Sequence, residues 1–253
     1  MKCTYCLKNL EEGVTRDHVF PKAWYPDSTP INIQRWKVPA CKKCNGKFQK
    51  IEDYLFCRWG ICLEENESCA GISRRAVNRN YFLGVVDLDN RRFNRKLSVF
   101  RDLLSSMTEY DPRRTHAGTA PKPGVRSTLA VKGSGAYRYE FSEKLVKGAE
   151  YILLKRLVPK NKYIQIYYEM AEDPLSEYYK AWESLLEKGQ TTNLGPGLVI
   201  KWAINTPNYP EQSLYHFEIW GHLKFWAFVL EKTIPYRIRR IWHKLRDNLK
   251  RLM

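Results

Sequence analysis

Four of the seven cysteines in this 253-residue chain form two pairs of identical spacing, Cys3-Thr-Tyr-Cys6 and Cys41-Lys-Lys-Cys44. Two residues between thiols make a tight turn that aims both sulfurs at one point. Two such turns complete a tetrahedral four-sulfur shell for Zn²⁺. The odd cysteine total argues against a fully paired disulfide framework. Cys57, Cys62 and Cys69 lack a CxxC partner or a nearby His and read as ordinary buried thiols. Between the knuckles lie Val14-Thr-Arg-Asp17-His18-Val-Phe-Pro21, then Asn32, then Lys37-Val-Pro-Ala40, and Asn45 directly follows the last cysteine.

This order of CxxC, Asp-His-Val-x-Pro, Asn and Val-Pro-Ala-Cys-x-x-Cys-Asn resembles the zinc-stabilised HNH endonucleases, which have the ββα-metal fold. The resemblance covers about residues 1–55. It implies Asp17 as a catalytic metal ligand, His18 as general base, Asn32 as the group that orients His18, and Asn45 as the second metal ligand. It also implies cleavage of nucleic-acid phosphodiester bonds, DNA ahead of RNA, to 3′-hydroxyl and 5′-phosphate ends. The chemistry of the residues agrees. Asp17 and the Asn45 carbonyl are hard oxygen donors suited to Mg²⁺ or Mn²⁺. The ordinary His pKa, about 6.5, leaves His18 largely neutral at pH 7 and able to take a proton from water.

Simpler readings stand beside these. An Asp-His pair can be a polar strand end, Asn32 a turn residue and Asn45 a helix N-cap. The same zinc frame could also bind nucleic acid without cutting it. Geometry adds a condition: neighbours in a regular strand face opposite ways, so Asp17 and His18 share a site only if the chain leaves strand geometry at that pair.

The elements that must position these groups follow from periodicity. Val14–Phe20 and Lys37–Ala40 read as short strands, and a helix follows Asn45, with residues 46–63 placing Phe48, Ile51, Tyr54 and Leu55 on one face. An amphipathic helix is expected over 91–110, with Phe93, Leu97, Phe100, Leu104 and Met107 inward, and an exposed loop over 111–131. Further on, Ser142 is expected to cap a helix to about Leu157, and Asp173-Pro174 to open one closed by Gly189. Strands are expected at Tyr163–Glu169, Leu198–Ile204, Leu214–Ile219 and His222–Leu230, the last two forming a hairpin around Trp220-Gly221. The fold class is therefore α+β. A small zinc-bound ββα module (1–55) precedes a helical connector and loop (56–130), an α+β domain with an antiparallel sheet (131–231) and a basic helix (232–253).

Charge points to the partner. The chain carries +16 with a pI near 9.5, a surface that attracts polyanions. Eight basic residues against one acidic residue place +7 in 232–253 alone. Arg237, Arg239, Arg240 and Lys244 lie there on a helix with one apolar face. Arg91, Arg92, Arg95 and Lys96 form a second candidate phosphate patch, at a helix start where cations oppose the dipole. For both patches the alternative is a solvated charged face, and the tail could also lie on a membrane surface. The longest apolar run, Phe225–Leu230, has six residues against the roughly 20 of a spanning helix. The first residues also lack an apolar leader run, so a cytoplasmic protein is expected.

Overall fold

In the computed structural model the described residues are 1–10, 14–80, 105, 107–109, 129–131, 134–170, 175–204 and 212–231. The basic patches at 91–96 and 237–244 lie outside them. So does most of the helix expected over 91–110 and of the loop expected over 111–131. At the described ends of both segments the expectation is corrected. Met107–Glu109 is a strand, β3, paired antiparallel with Leu129–Val131, β4, and Met107 is exposed rather than inward.

The N-terminal hairpin forms as its sequence requires. Strand β1, Thr15–His18, pairs antiparallel with β2, Lys37–Ala40. Helix α1, Lys42–Gly60, starts immediately afterwards, with the Cys41 sulfur accepting the Cys44 N–H at its N-cap. Phe48, Ile51 and Leu55 recur at three- and four-residue spacing and, with Phe56 beside them, bury one face. At its far end Gly60 lets helix α2, Ile72–Asn80, approach. A Cβ there would lie 2.5 Å from that of Ala76. The short α2 has no sequence counterpart above: over 72–78, where burial is described, only Ile72 and Ala76 are buried.

Helix α3, Gly135–Leu153, crosses this hairpin. Its N-cap is Ser134, which accepts the Tyr137 N–H, and not Ser142. Ser142 lies fully buried in the helix interior, where the Tyr168 hydroxyl is its partner. The helix stops short of Leu157: the Leu154 and Arg156 N–H groups both return to the Glu150 carbonyl, and Lys155 turns left-handed at φ 53°. Gly148 sets how close α3 comes to the hairpin, since a Cβ there would meet both Val19 methyls at 2.6 Å.

Beyond α3 lies a five-stranded antiparallel sheet in the order β5-β9-β8-β7-β6. It comprises β5 (Lys162–Tyr168), β6 (Gln190–Asn193), β7 (Leu198–Ile204), β8 (Ser213–Ile219) and β9 (Leu223–Glu231), with helix α4 (Ser176–Leu186) between β5 and β6. Polar β6, Gln-Thr-Thr-Asn, is the strand without an alternating apolar signature. Along β9, Phe225, Ala227 and Val229 join the main core while Trp226 packs under α4 with Tyr179 and Trp182. The β8–β9 turn, closed by the His222 N–H on the Ile219 carbonyl at 3.1 Å, places Trp220 and Gly221 at φ 59° and 70°, both left-handed. Trp220 compensates for that conformation by stacking on Trp24 at 4.8 Å and donating its indole N–H to the Trp24 carbonyl at 2.7 Å. One core therefore runs from Cys3 through Trp24 and Phe141 to Val229, across the boundaries expected between 1–55 and 131–231.

Candidate functional site

Four sulfurs converge at one end of the hairpin. The first knuckle closes when the Leu7 N–H returns to the Cys3 carbonyl at 3.0 Å, with Leu7 left-handed at φ 64°. The Thr4 N–H then bonds the Pro39 carbonyl at 2.9 Å, tying this knuckle to β2. The ligand atoms of Cys3, Cys6, Cys41 and Cys44 all lie within 4.8 Å of one another, and the Cys6 and Cys41 sulfurs are 3.8 Å apart. A Zn–S bond of about 2.3 Å in a tetrahedron gives sulfurs about 3.8 Å apart, so this set fits zinc. Backbone N–H groups already point at it, Cys41 to the Cys3 sulfur and Cys44 to the Cys41 sulfur, each at 3.4 Å. Burial pushes the Cys6 and Cys44 thiols up, and the crowd of neighbouring sulfurs adds to this at Cys44. At Cys41 burial pushes the other way, but the bonds from Cys44, Cys6 and Cys3 together outweigh it and bring the thiol to about 7. A dication offsets the cost of gathering four thiolates. Among the described residues this is the only such cluster; Cys57, Cys62 and Cys69 stand apart from it.

The hairpin next to the knuckles has two faces. β1 stays regular through Asp17, opposite Val38, and His18, opposite Lys37, and the Val19 N–H continues the pairing to the Trp36 carbonyl at 3.0 Å. The chain does not leave strand geometry at the Asp-His pair, so the two side chains point to opposite faces.

Asp17 faces inward and is 7 % exposed. Its Oδ2 accepts the Tyr5 hydroxyl at 2.6 Å and lies 2.9 Å from the Lys144 ammonium. Lys144, from α3, is completely buried. It also donates to Glu52 Oε1 of α1 and, at 2.6 Å, to the His18 carbonyl. Tyr5 sits inside the first knuckle, edge-on to Phe48 at 4.7 Å, and its own carbonyl accepts from Lys147 at 3.2 Å. First knuckle, strand and two helices therefore meet at one ammonium. Burial, then the Asp17 charge, drives the Tyr5 hydroxyl well above its usual range, which keeps it a donor. Burial lifts the Glu52 carboxyl to about 7 against the opposing pull of Lys144.

His18 lies on the outer face, half-buried and directly opposite Lys37, with exposed Arg16 two residues before it on the same side. Burial lowers its pKa, and the charges of Lys37, Lys144 and Arg35 lower it further against Asp17. The imidazole is therefore neutral at pH 7, the form that accepts a proton.

The carboxamides are placed less tightly. Asn32 is exposed in a turn closed by the Ile33 N–H on the Pro30 carbonyl at 3.2 Å. No hydrogen bond among the described residues joins it to His18. Asn45 lies half-buried in the first turn of α1, its N–H on the Cys41 carbonyl at 3.0 Å. The Mg²⁺ or Mn²⁺ ion implied for Asp17 and Asn45 does not fit as these residues stand. Asp17 is buried, and one of its oxygens already holds a hydroxyl and an ammonium.

Tyr5, Glu52 and Lys144 were missed in the sequence. A signal for Lys144 existed: it interrupts the apolar stripe of Phe141, Leu145, Gly148 and Ala149, where a cation survives only if paired. No family model matches the chain, and neither a curated protein nor a solved structure matches it. No helix among the described residues is long and apolar enough to cross a membrane.

Proposed function

We propose that the chain is a zinc-pinned nuclease of the HNH type, which cleaves nucleic-acid phosphodiester bonds on the outer face of the β1–β2 hairpin, DNA ahead of RNA. The observation that carries this reading is His18, neutral and half-buried among Lys37, Arg35 and Arg16 on a ββα frame that ends at four converging sulfurs. In the proposed reaction a water gives its proton to the His18 ring as its oxygen bonds to phosphorus. The bond to the 3′ oxygen breaks and that oxygen takes a proton from solvent water, leaving 5′-phosphate and 3′-hydroxyl ends, while the proton on His18 is lost to solvent. Lys37, Arg35 and Arg16 supply positive charge for a phosphate approaching this face. Zinc holds the knuckles, and through them the two strands; it takes no part in the step.

Burial of Asp17 favours a second reading, in which the same face binds nucleic acid without cutting it. Supercoiled plasmid incubated with zinc-loaded protein, with and without added Mg²⁺, separates the two. Nicking by the wild type that His18→Ala abolishes supports the nuclease. A gel shift of intact plasmid by both proteins leaves the binding module. No salt-sensitive retention at all removes both readings.

A further inference from the structure

We infer that Lys144 is the resident cation of the hairpin's inner face, and that Asp17 and Glu52 hold its ammonium in place of a divalent metal ion. For its meaning in catalysis the inference rests on the nuclease reading; its geometry stands without that reading. An ammonium has three N–H donors, and three acceptors meet this one: Asp17 Oδ2 at 2.9 Å, Glu52 Oε1 and the His18 carbonyl at 2.6 Å. They come from α1 and from two consecutive residues of β1. One is main chain and cannot rotate away. The Lys144 side chain is 0 % exposed, and the side chains of Asp17 and Glu52 are 8 % and 12 % exposed. The Tyr5 hydroxyl occupies the shared Asp17 oxygen from the remaining side.

A divalent ion would have to displace this arrangement. Mg²⁺ demands near-octahedral oxygens at about 2.0–2.1 Å and keeps several of its waters. The buried Asp17 oxygen offers a hydroxyl and an ammonium where those waters would sit. An ion added beside Lys144 would also share a carboxylate with a like charge in a site of low dielectric, where repulsion is strong. The two acids and one ammonium together hold the strand end that carries the imidazole, through the His18 carbonyl. Phosphate chemistry at His18 then takes its countercharge from the outer-face cations and needs no ion on Asp17.

Mn²⁺ is the probe, because its free and bound forms separate by electron paramagnetic resonance. Zinc-loaded full-length wild type, Asp17→Asn, Lys144→Met and Lys144→Arg are titrated with Mn²⁺, after circular dichroism has verified folding. The expected result is equal Mn²⁺ binding by wild type, Asp17→Asn and Lys144→Arg, with Lys144→Met gaining a site at least about tenfold tighter. Wild-type binding that weakens about tenfold or more in Asp17→Asn overturns the inference. So does a folded Lys144→Met protein that binds no more Mn²⁺ than the wild type. Should Lys144→Met fail to fold, the comparison of wild type with Asp17→Asn still decides. Absence of plasmid cleavage removes the nuclease reading and leaves this titration intact. Cleavage that depends on Mg²⁺ and on Asp17 sinks the inference and spares the nuclease.

Discussion

Asp17 and His18 are adjacent in sequence and share one strand, yet their surroundings have opposite character. The inward residue is closed off: Asp17 is tied to a knuckle by Tyr5 and to α3 by Lys144, with Glu52 on the same ammonium. The outward residue keeps its ring half-exposed and neutral among cations. The contrast shows how a single strand can divide its work. A buried, hydrogen-bonded charge network holds the backbone on one side, and the imidazole that we propose as the base stays half-exposed on the other. The Asp17 side is closed to solvent; the His18 side is open to it.

That division can be broken from either side. Stripping the metal acts most strongly, because the first knuckle carries Tyr5 and pins β2 through Thr4. Structural zinc supplies folding energy outright, about 10–16 kcal/mol in small finger peptides. Chelation should therefore lower the chain's cooperative thermal transition, read by circular dichroism, more than any substitution below, and zinc should restore it. Next comes Lys144→Met, which leaves two buried carboxylates unpaired and should cost about 3–5 kcal/mol in denaturant unfolding. His18→Ala, on the other face, should cost within about 0.5 kcal/mol. Equal losses at the two positions would erase the distinction.

A subtler effect concerns pH. Glu52 titrates near 7 in the fold against an ordinary 4.5, so the folded state binds its proton more tightly than the unfolded chain does. Its contribution to stability is fully present below about pH 4.5 and is lost as pH rises to about 7. The difference in melting temperature between wild type and Glu52→Gln should therefore shift against the wild type from pH 5 to pH 7.5. A difference that does not vary with pH would show that the network holds Glu52 ionised throughout. The smallest effect belongs to Lys37→Ala: the slope of log affinity against log salt for DNA should fall by about one unit at most, with stability unchanged.

Some of this was legible in the sequence, for identifiable reasons. The convergence of Cys3, Cys6, Cys41 and Cys44 could be read because metal geometry forces a spacing onto local sequence. The strands Leu198–Ile204 and Ser213–Ile219 could be read because their aliphatic and aromatic residues alternate or run together. The hairpin turn at Trp220-Gly221 was marked by its glycine. Ser142 misled, because a serine at a plausible helix start resembles a cap, whereas its partner is Tyr168 on a distant strand. Lys144 left one local sign, its place in the apolar stripe of α3, but its acceptors lie at residues 17, 18 and 52, and nothing local encodes which groups it would reach. The shared core escaped notice because the Trp24–Trp220 stack joins residues far apart in the chain.

The central claim is that chemistry belongs to the outer face, and plasmid cleavage by zinc-loaded wild type and His18→Ala tests it most directly. The account predicts nicking by the wild type that continues without added Mg²⁺. The variant should lose it while keeping its melting temperature and its salt-sensitive DNA retention. Cleavage undiminished in His18→Ala, or no cleavage by the wild type under any of these conditions, would contradict it.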